Sequence, residues 1–115
     1  MDLSKRIEKN ICIVYIQTDH FLNSSTEFMN YVKPLMSTSS FEGLLLNFEG
    51  VAFMNSYGFG VVLEVFKTIT AKGLKFGLCS ITNPVLKVLQ ITKTQDLFNT
   101  YATEAEALEN MPSTT

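Results

Sequence analysis

Residues 43 to 60 carry the pattern that most restricts this chain. Leu44, Leu45 and Leu46 form an unbroken apolar run between Gly43 and Phe48, as expected of a central strand covered on both faces. A polar pair, Asn55-Ser56, follows. From Gly58 onward Val61, Val62, Val65, Phe66 and Ile69 recur at helical spacing, with Glu64, Lys67 and Lys72 elsewhere, which predicts an amphipathic helix. Ser56, Tyr57 and Gly58 fall in its first turn, and Gly73 is placed to end it in a left-handed conformation. A buried strand feeding straight into a helix is half of a βαβ unit, and such units build parallel sheets.

The rest of the chain repeats that alternation. Ile11 to Ile16 is a β-rich run. Met1 to Ile7 supplies a short partner strand across a turn at Glu8-Lys9-Asn10. Ser24 and Glu27 have capping-box spacing, and Phe28, Tyr31, Val32, Leu35 and Met36 then form one apolar helical face. Pro34 sits inside that face, where its missing N–H should kink or shorten the helix. Ser37 to Ser40 is a polar connection. Leu74, Phe76 and Leu78 alternate as a strand. Thr82-Asn83-Pro84 reads as a cap followed by proline at the first helical position. That opens a short helix to about Thr92 with Val85, Leu86 and Leu89 facing inward. Leu97 to Tyr101 is a last strand, and Thr103 with Glu106 starts a terminal helix carrying Ala105, Leu108 and Met111. The expected architecture is α/β, with a mostly parallel four- to five-stranded sheet and about four helices, joined by right-handed crossovers. Residues 1–115 form one domain, with a core from about 11 to 110 and a frayed tail at 112–115.

Composition narrows the function. The chain is 46% hydrophobic and 17% charged, with a formal net charge of -2. Its lysines are scattered, so the basic stripe of a nucleic-acid binder is absent. The run from Ile11 to Ile16 is too short for a signal peptide or a membrane span, which makes the cytoplasm the expected location. Cys12 and Cys79, the only cysteines, both lie in strand-like runs and read as buried, reduced thiols. His20 is the single histidine, and no zinc spacing, phosphate loop or dinucleotide fingerprint occurs. The carboxylates are spread along solvated segments. No catalytic set, metal site or cofactor is expected, and an enzyme is disfavoured.

The segment Asn55-Ser56-Tyr57-Gly58-Phe59-Gly60 after its strand resembles the signature of the STAS family (sulfate transporter and anti-sigma factor antagonist), usually Asp-Ser-Ser-Gly-Leu-Gly. Further blocks fall in order: Leu44 to Met54, Phe66 to Phe76, and Val88 to Thr92 followed by Leu97-Phe98. The resemblance runs from about Ile11 to Leu108 and is nearest the stand-alone anti-sigma factor antagonists. It implies a STAS-like fold and partner switching. The partner would be an anti-sigma factor or serine kinase of the histidine-kinase-like ATPase fold, and a PP2C-type phosphatase joins the circuit. An accessory subunit of a larger assembly, such as a lipid-transport ATPase complex, is the alternative it implies.

This chain departs from the family pattern at the switch. Tyr57 stands where the family carries its phosphoacceptor serine, and Asn55 replaces the aspartate, keeping the cap but removing a charge. Phe21 falls where many members carry an aspartate. Ser56 matches the family's first serine and reads either as a helix cap or first-turn residue or, less favoured, as an alternative acceptor. Tyr57 either packs its ring over the sheet edge or stands out as an interface anchor, and the second is favoured. The candidate partner-binding residues are therefore Asn55, Ser56, Tyr57, Gly58 and Gly60, with Asp19 and Phe21 from the adjacent loop.

Overall fold

The computed structural model describes residues 2–20, 25–37 and 41–111. Nine elements follow in order: β1 (Asp2–Glu8), β2 (Ile11–His20), α1 (Ser25–Ser37), β3 (Gly43–Phe53), α2 (Ser56–Ala71), β4 (Lys75–Cys79), α3 (Asn83–Thr92), β5 (Thr100–Tyr101) and α4 (Glu104–Asn110). The strands lie in the order β1-β2-β3-β4-β5. β1 pairs antiparallel with β2, and the remaining pairs are parallel. This is the mostly parallel α/β architecture that the alternation implies.

Local chemistry explains the joints. Lys9 and Asn10 both take positive φ, 54° and 65°, as a two-residue hairpin turn requires, so the β1–β2 turn is one residue tighter than the sequence suggests. At the end of α2, Gly73 has φ 79°. Its N–H donates to the Thr70 carbonyl at 3.0 Å, and the Leu74 N–H donates to the Ile69 carbonyl at 3.2 Å, which is a Schellman stop. The capping spacing at Thr103 holds too: its hydroxyl accepts from the Glu106 N–H at 3.1 Å, while the Glu106 carboxylate accepts from the Ala102 N–H at 3.0 Å.

Several expectations are corrected. α1 continues past Pro34 to Ser37, so the proline does not end it. β2 and β3 run four and five residues beyond their apolar cores, to His20 and Phe53. The last strand shrinks to Thr100–Tyr101, because Leu97–Asn99 forms a turn in which the Phe98 N–H donates to the Thr94 carbonyl at 3.0 Å. Thr82 holds the cap position of α3, its carbonyl accepting from the Leu86 N–H at 2.9 Å, but its hydroxyl makes no cap bond and instead donates to the Val51 carbonyl at 2.8 Å, tying α3 to β3. Pro84 is the second rather than the first helical residue. In α4, Ala107 is buried and Ala105 is exposed. Ser24 of the first capping pair, residues 38–40 and the tail 112–115 lie outside the described residues.

The sheet carries apolar clusters on its two faces. The larger gathers Val14, Leu44, Leu46 and Leu78 with Phe28 and Val32 of α1, Val62 and Ile69 of α2, and Leu89 of α3. On the other face Ile11, Ile13, Leu45 and Cys79 pack against Ala107 and Leu108 of α4 and against Met111. Beside α4 the second face turns polar. Glu104 accepts hydrogen bonds from Arg6 at 2.6 Å, from Asn47 at 3.2 Å and from the Tyr15 hydroxyl. Asn47, only 6% exposed, also accepts from the Glu49 N–H at 2.9 Å. There β3 advances three residues, Asn47 to Gly50, while β2 advances two, Tyr15 to Gln17, so β3 bulges. Gly50 is required at that bulge, since a Cβ would stand 2.9 Å from the Ile16 carbonyl oxygen. The carboxylates are thus not uniformly solvated: Glu104 is half-buried and binds three neighbours.

Burial also fixes the thiols. Burial is the main cause raising both, and it pushes Cys79 up to about 12 and Cys12 above the usual thiol range. Neither is a ready nucleophile. Because the folded-state pKa of Cys79 exceeds that of the unfolded chain, its contribution to stability is fully present below about pH 9 and fades as pH climbs toward 12. Tyr15 is likewise pushed up to about 12, chiefly by burial and then by Glu104, and adds to the loss above about pH 10. Thermal unfolding followed from pH 8 to 11 should therefore show a falling midpoint above pH 9, with Cys79→Ala flattening the first part of that fall.

Candidate functional site

The strand–helix junction places the candidate residues at the carboxyl ends of the parallel strands, where open α/β sheets present their binding surfaces. Asn55 is the cap of α2, with extended backbone (φ -100°, ψ -173°) and a side-chain oxygen accepting from the Gly58 N–H at 2.9 Å. Its carbonyl accepts the first helical bond, from the Phe59 N–H at 2.9 Å. Asparagine therefore supplies the cap that the family's aspartate would. Ser56 is the first helical residue, so its place is the first turn rather than the cap. Both are exposed.

Tyr57 is 59% exposed, so more than half of its surface is available to another molecule. Phe53, at the end of β3, is 53% exposed, so two aromatic rings stand close together in sequence at this end of the molecule. No acidic residue occupies the first turn of α2, leaving the positive end of the helix without a carboxylate of its own there.

The two glycines behave differently. Gly58 is buried, whereas Gly60 is exposed. A Cβ at Gly60 would meet nothing within 4 Å among the described residues, and its φ lies outside the left-handed region. Among the described residues neither packing nor backbone conformation calls for glycine there, although glycine inside a helix costs about 1 kcal/mol relative to alanine.

Behind the tip, Phe59 is half-buried and packs on Phe98 with ring centroids 5.9 Å apart. Beside it, α1 and α2 flank a groove of about 350 Å³ lined by Met29, Asn30, Lys33, Tyr57, Gly60 and Glu64 among others. The groove has no counterpart in the sequence expectations, because exposed residues on two different helices leave no joint pattern along the chain. Of the predicted loop, Asp19 belongs to β2 and lies level with the end of β3, where His20 pairs with Phe53. Phe21 lies outside the described residues. Among the described residues no group of three or more histidines, cysteines or carboxylates could hold a metal ion, and no helix is long and apolar enough to cross a membrane.

The chain matches the family model described as the STAS domain over residues 2–107. An anti-sigma F factor antagonist of Paenibacillus polymyxa is 30% identical over 70 residues, covering 61% of this chain and 60% of that protein. An anti-sigma factor antagonist (STAS) domain protein from Planctomyces limnophilus superimposes with a TM-score of 0.86 at 23% identity, covering 98% of this chain and 100% of that one. The Bacillus cell fate determinant SpoIIAA in its phosphorylated form superimposes with a TM-score of 0.73 at 18% identity, covering 94% and 97% of the two chains.

Proposed function

This chain belongs to the STAS domain family, and from that premise we propose that it works as an anti-sigma factor antagonist, by binding another protein rather than by catalysis. The docking surface is the tip of α2, from Asn55 to Gly60, with the neighbouring end of β2 at Asp19 and the segment containing Phe21. The partner is an anti-sigma factor or serine kinase of the histidine-kinase-like ATPase fold. The observation that carries this reading is Tyr57: a large amphipathic ring, 59% exposed on a firmly capped helix end, is the kind of side chain that dominates protein interfaces.

The same residue alters the switch. A kinase pocket shaped for serine does not accept a tyrosine ring at that position, so binding is constitutive with respect to modification at position 57. Ser56 is exposed, but as the first helical residue it stands one position before the family's acceptor. Phosphorylation there would add a charge of about -1.5 to -2 at the helix start. No observation favours the accessory-subunit alternative over this one.

The test is to titrate the protein with its anti-sigma factor kinase, incubate the pair with ATP, and locate any phosphate by mass spectrometry. Saturable binding without phosphate at residues 55–60 is the expected result. Stoichiometric phosphorylation of Ser56 with release of the partner would overturn the constitutive version, and no binding would overturn the proposal.

A further inference from the structure

We propose that the groove between α1 and α2 receives one helix of the partner, so that the interface reaches well beyond the α2 tip; this rests on the function proposed above. Two helical ridges form the walls. On α2 Ser56, Gly60 and Glu64 stand four residues apart, and on α1 Met29 and Lys33 do the same, all five lining the groove together with Val61. Rows at that spacing are what a third helix packs against, its own ridge entering the gap between them. Ser56 to Glu64 spans eight helical steps, about 12 Å or two turns of an incoming helix.

Gly60 marks the point of closest approach. Among the described residues nothing lies within 4 Å of the position its Cβ would take, which leaves room there for a side chain of another protein. Met29 is half-buried and Val61 is 9% exposed, which gives the groove an apolar floor beside that opening.

Charge then defines the occupant. Lys33 and Glu64 line the groove from opposite helices, and neither joins an ion pair among the described residues. The fitting helix carries a small apolar residue over Gly60, a carboxylate toward Lys33 and a basic side chain toward Glu64. Opposite charges in this arrangement orient a partner and reject one with the reverse order.

Binding of the purified anti-sigma factor kinase to Gly60→Ala, Gly60→Met and Lys33→Glu variants tests this. Tyr57 and Gly60 serve both the tip and the groove, so Lys33→Glu, on α1, separates the groove from the tip that Tyr57→Ala reports. The expected result is at least tenfold weaker binding for Lys33→Glu and Gly60→Met and a smaller loss for Gly60→Ala. Gly60→Ala should melt no lower than the wild type, which separates a lost contact from a lost fold. Affinities for Lys33→Glu and Gly60→Met within twofold of the wild type, beside a weakened Tyr57→Ala, would overturn the groove and spare the tip. A wild type that does not bind removes both. Sedimentation showing a homodimer abolished by Lys33→Glu would assign the groove to a second copy and overturn the proposal.

Discussion

Phe98→Ala should lower stability by about 4 kcal/mol, the usual cost of emptying a fully enclosed phenylalanine site. Phe98 is 0% exposed, and its ring meets three others: Phe66 at 5.3 Å, Phe76 at 5.8 Å and Phe59 at 5.9 Å between centroids. Phe66 and Phe76 also contact each other edge-on at 5.5 Å. Two of these rings belong to α2 and one to β4, so this side chain gives the turn before β5 its aromatic anchor in the central layer, beside the hydrogen bonds that Asn99 makes to β4. Tilted and edge-on pairs each add a contribution beyond burial, and the surrounding rings are held by their own elements and close only partly over the void. The melting midpoint should fall by more than 10 °C. Leu97→Ala, one residue away and 49% exposed, should move it little. Equal effects at both positions would contradict the packing described.

The same residue shows where sequence reasoning stops. Leu97 to Tyr101 has the composition of a strand, and only Thr100 and Tyr101 become one. Asn99, with φ 59°, breaks the run, since asparagine tolerates the left-handed region better than most residues. The strongly periodic elements were legible, because burial on a sheet or helix face imposes spacings of 2 and 3.6. β2 beyond Ile16 was not. Gln17, Thr18, Asp19 and His20 lack apolar alternation, yet they continue the strand because β3 continues beside them. The contact between Asn47 and Glu104, 57 residues apart in the chain, left no trace in either segment. A pair of polar side chains meeting across two elements has no period.

The candidate site divides in the same way. The α2 tip was legible because a strand-to-helix junction with a capping asparagine is a local event, and Asn55 caps as expected. The exposure of Tyr57 was not legible, because it depends on how α2 sits against the rest of the fold. The α1 wall of the groove, Met29 and Lys33, was invisible because it depends on how two helices lie side by side.

Tyr57→Ala isolates the central claim. The ring contributes little to the fold, being 59% exposed, and it stands on a helix whose start is held by Asn55 rather than by its own packing. Truncation should therefore cost less than about 0.5 kcal/mol in stability, as surface substitutions do. An aromatic anchor at the centre of an interface is worth about 2 to 4 kcal/mol to binding, which is roughly 30-fold or more in affinity. The decisive measurement is paired: the dissociation constant of the wild type and of Tyr57→Ala for the anti-sigma factor kinase, alongside both melting curves. An affinity loss of 30-fold or more with superimposable melts is what a docking tip requires. A lowered melt with unchanged affinity would make Tyr57 a structural residue and leave the α2 tip without its proposed role.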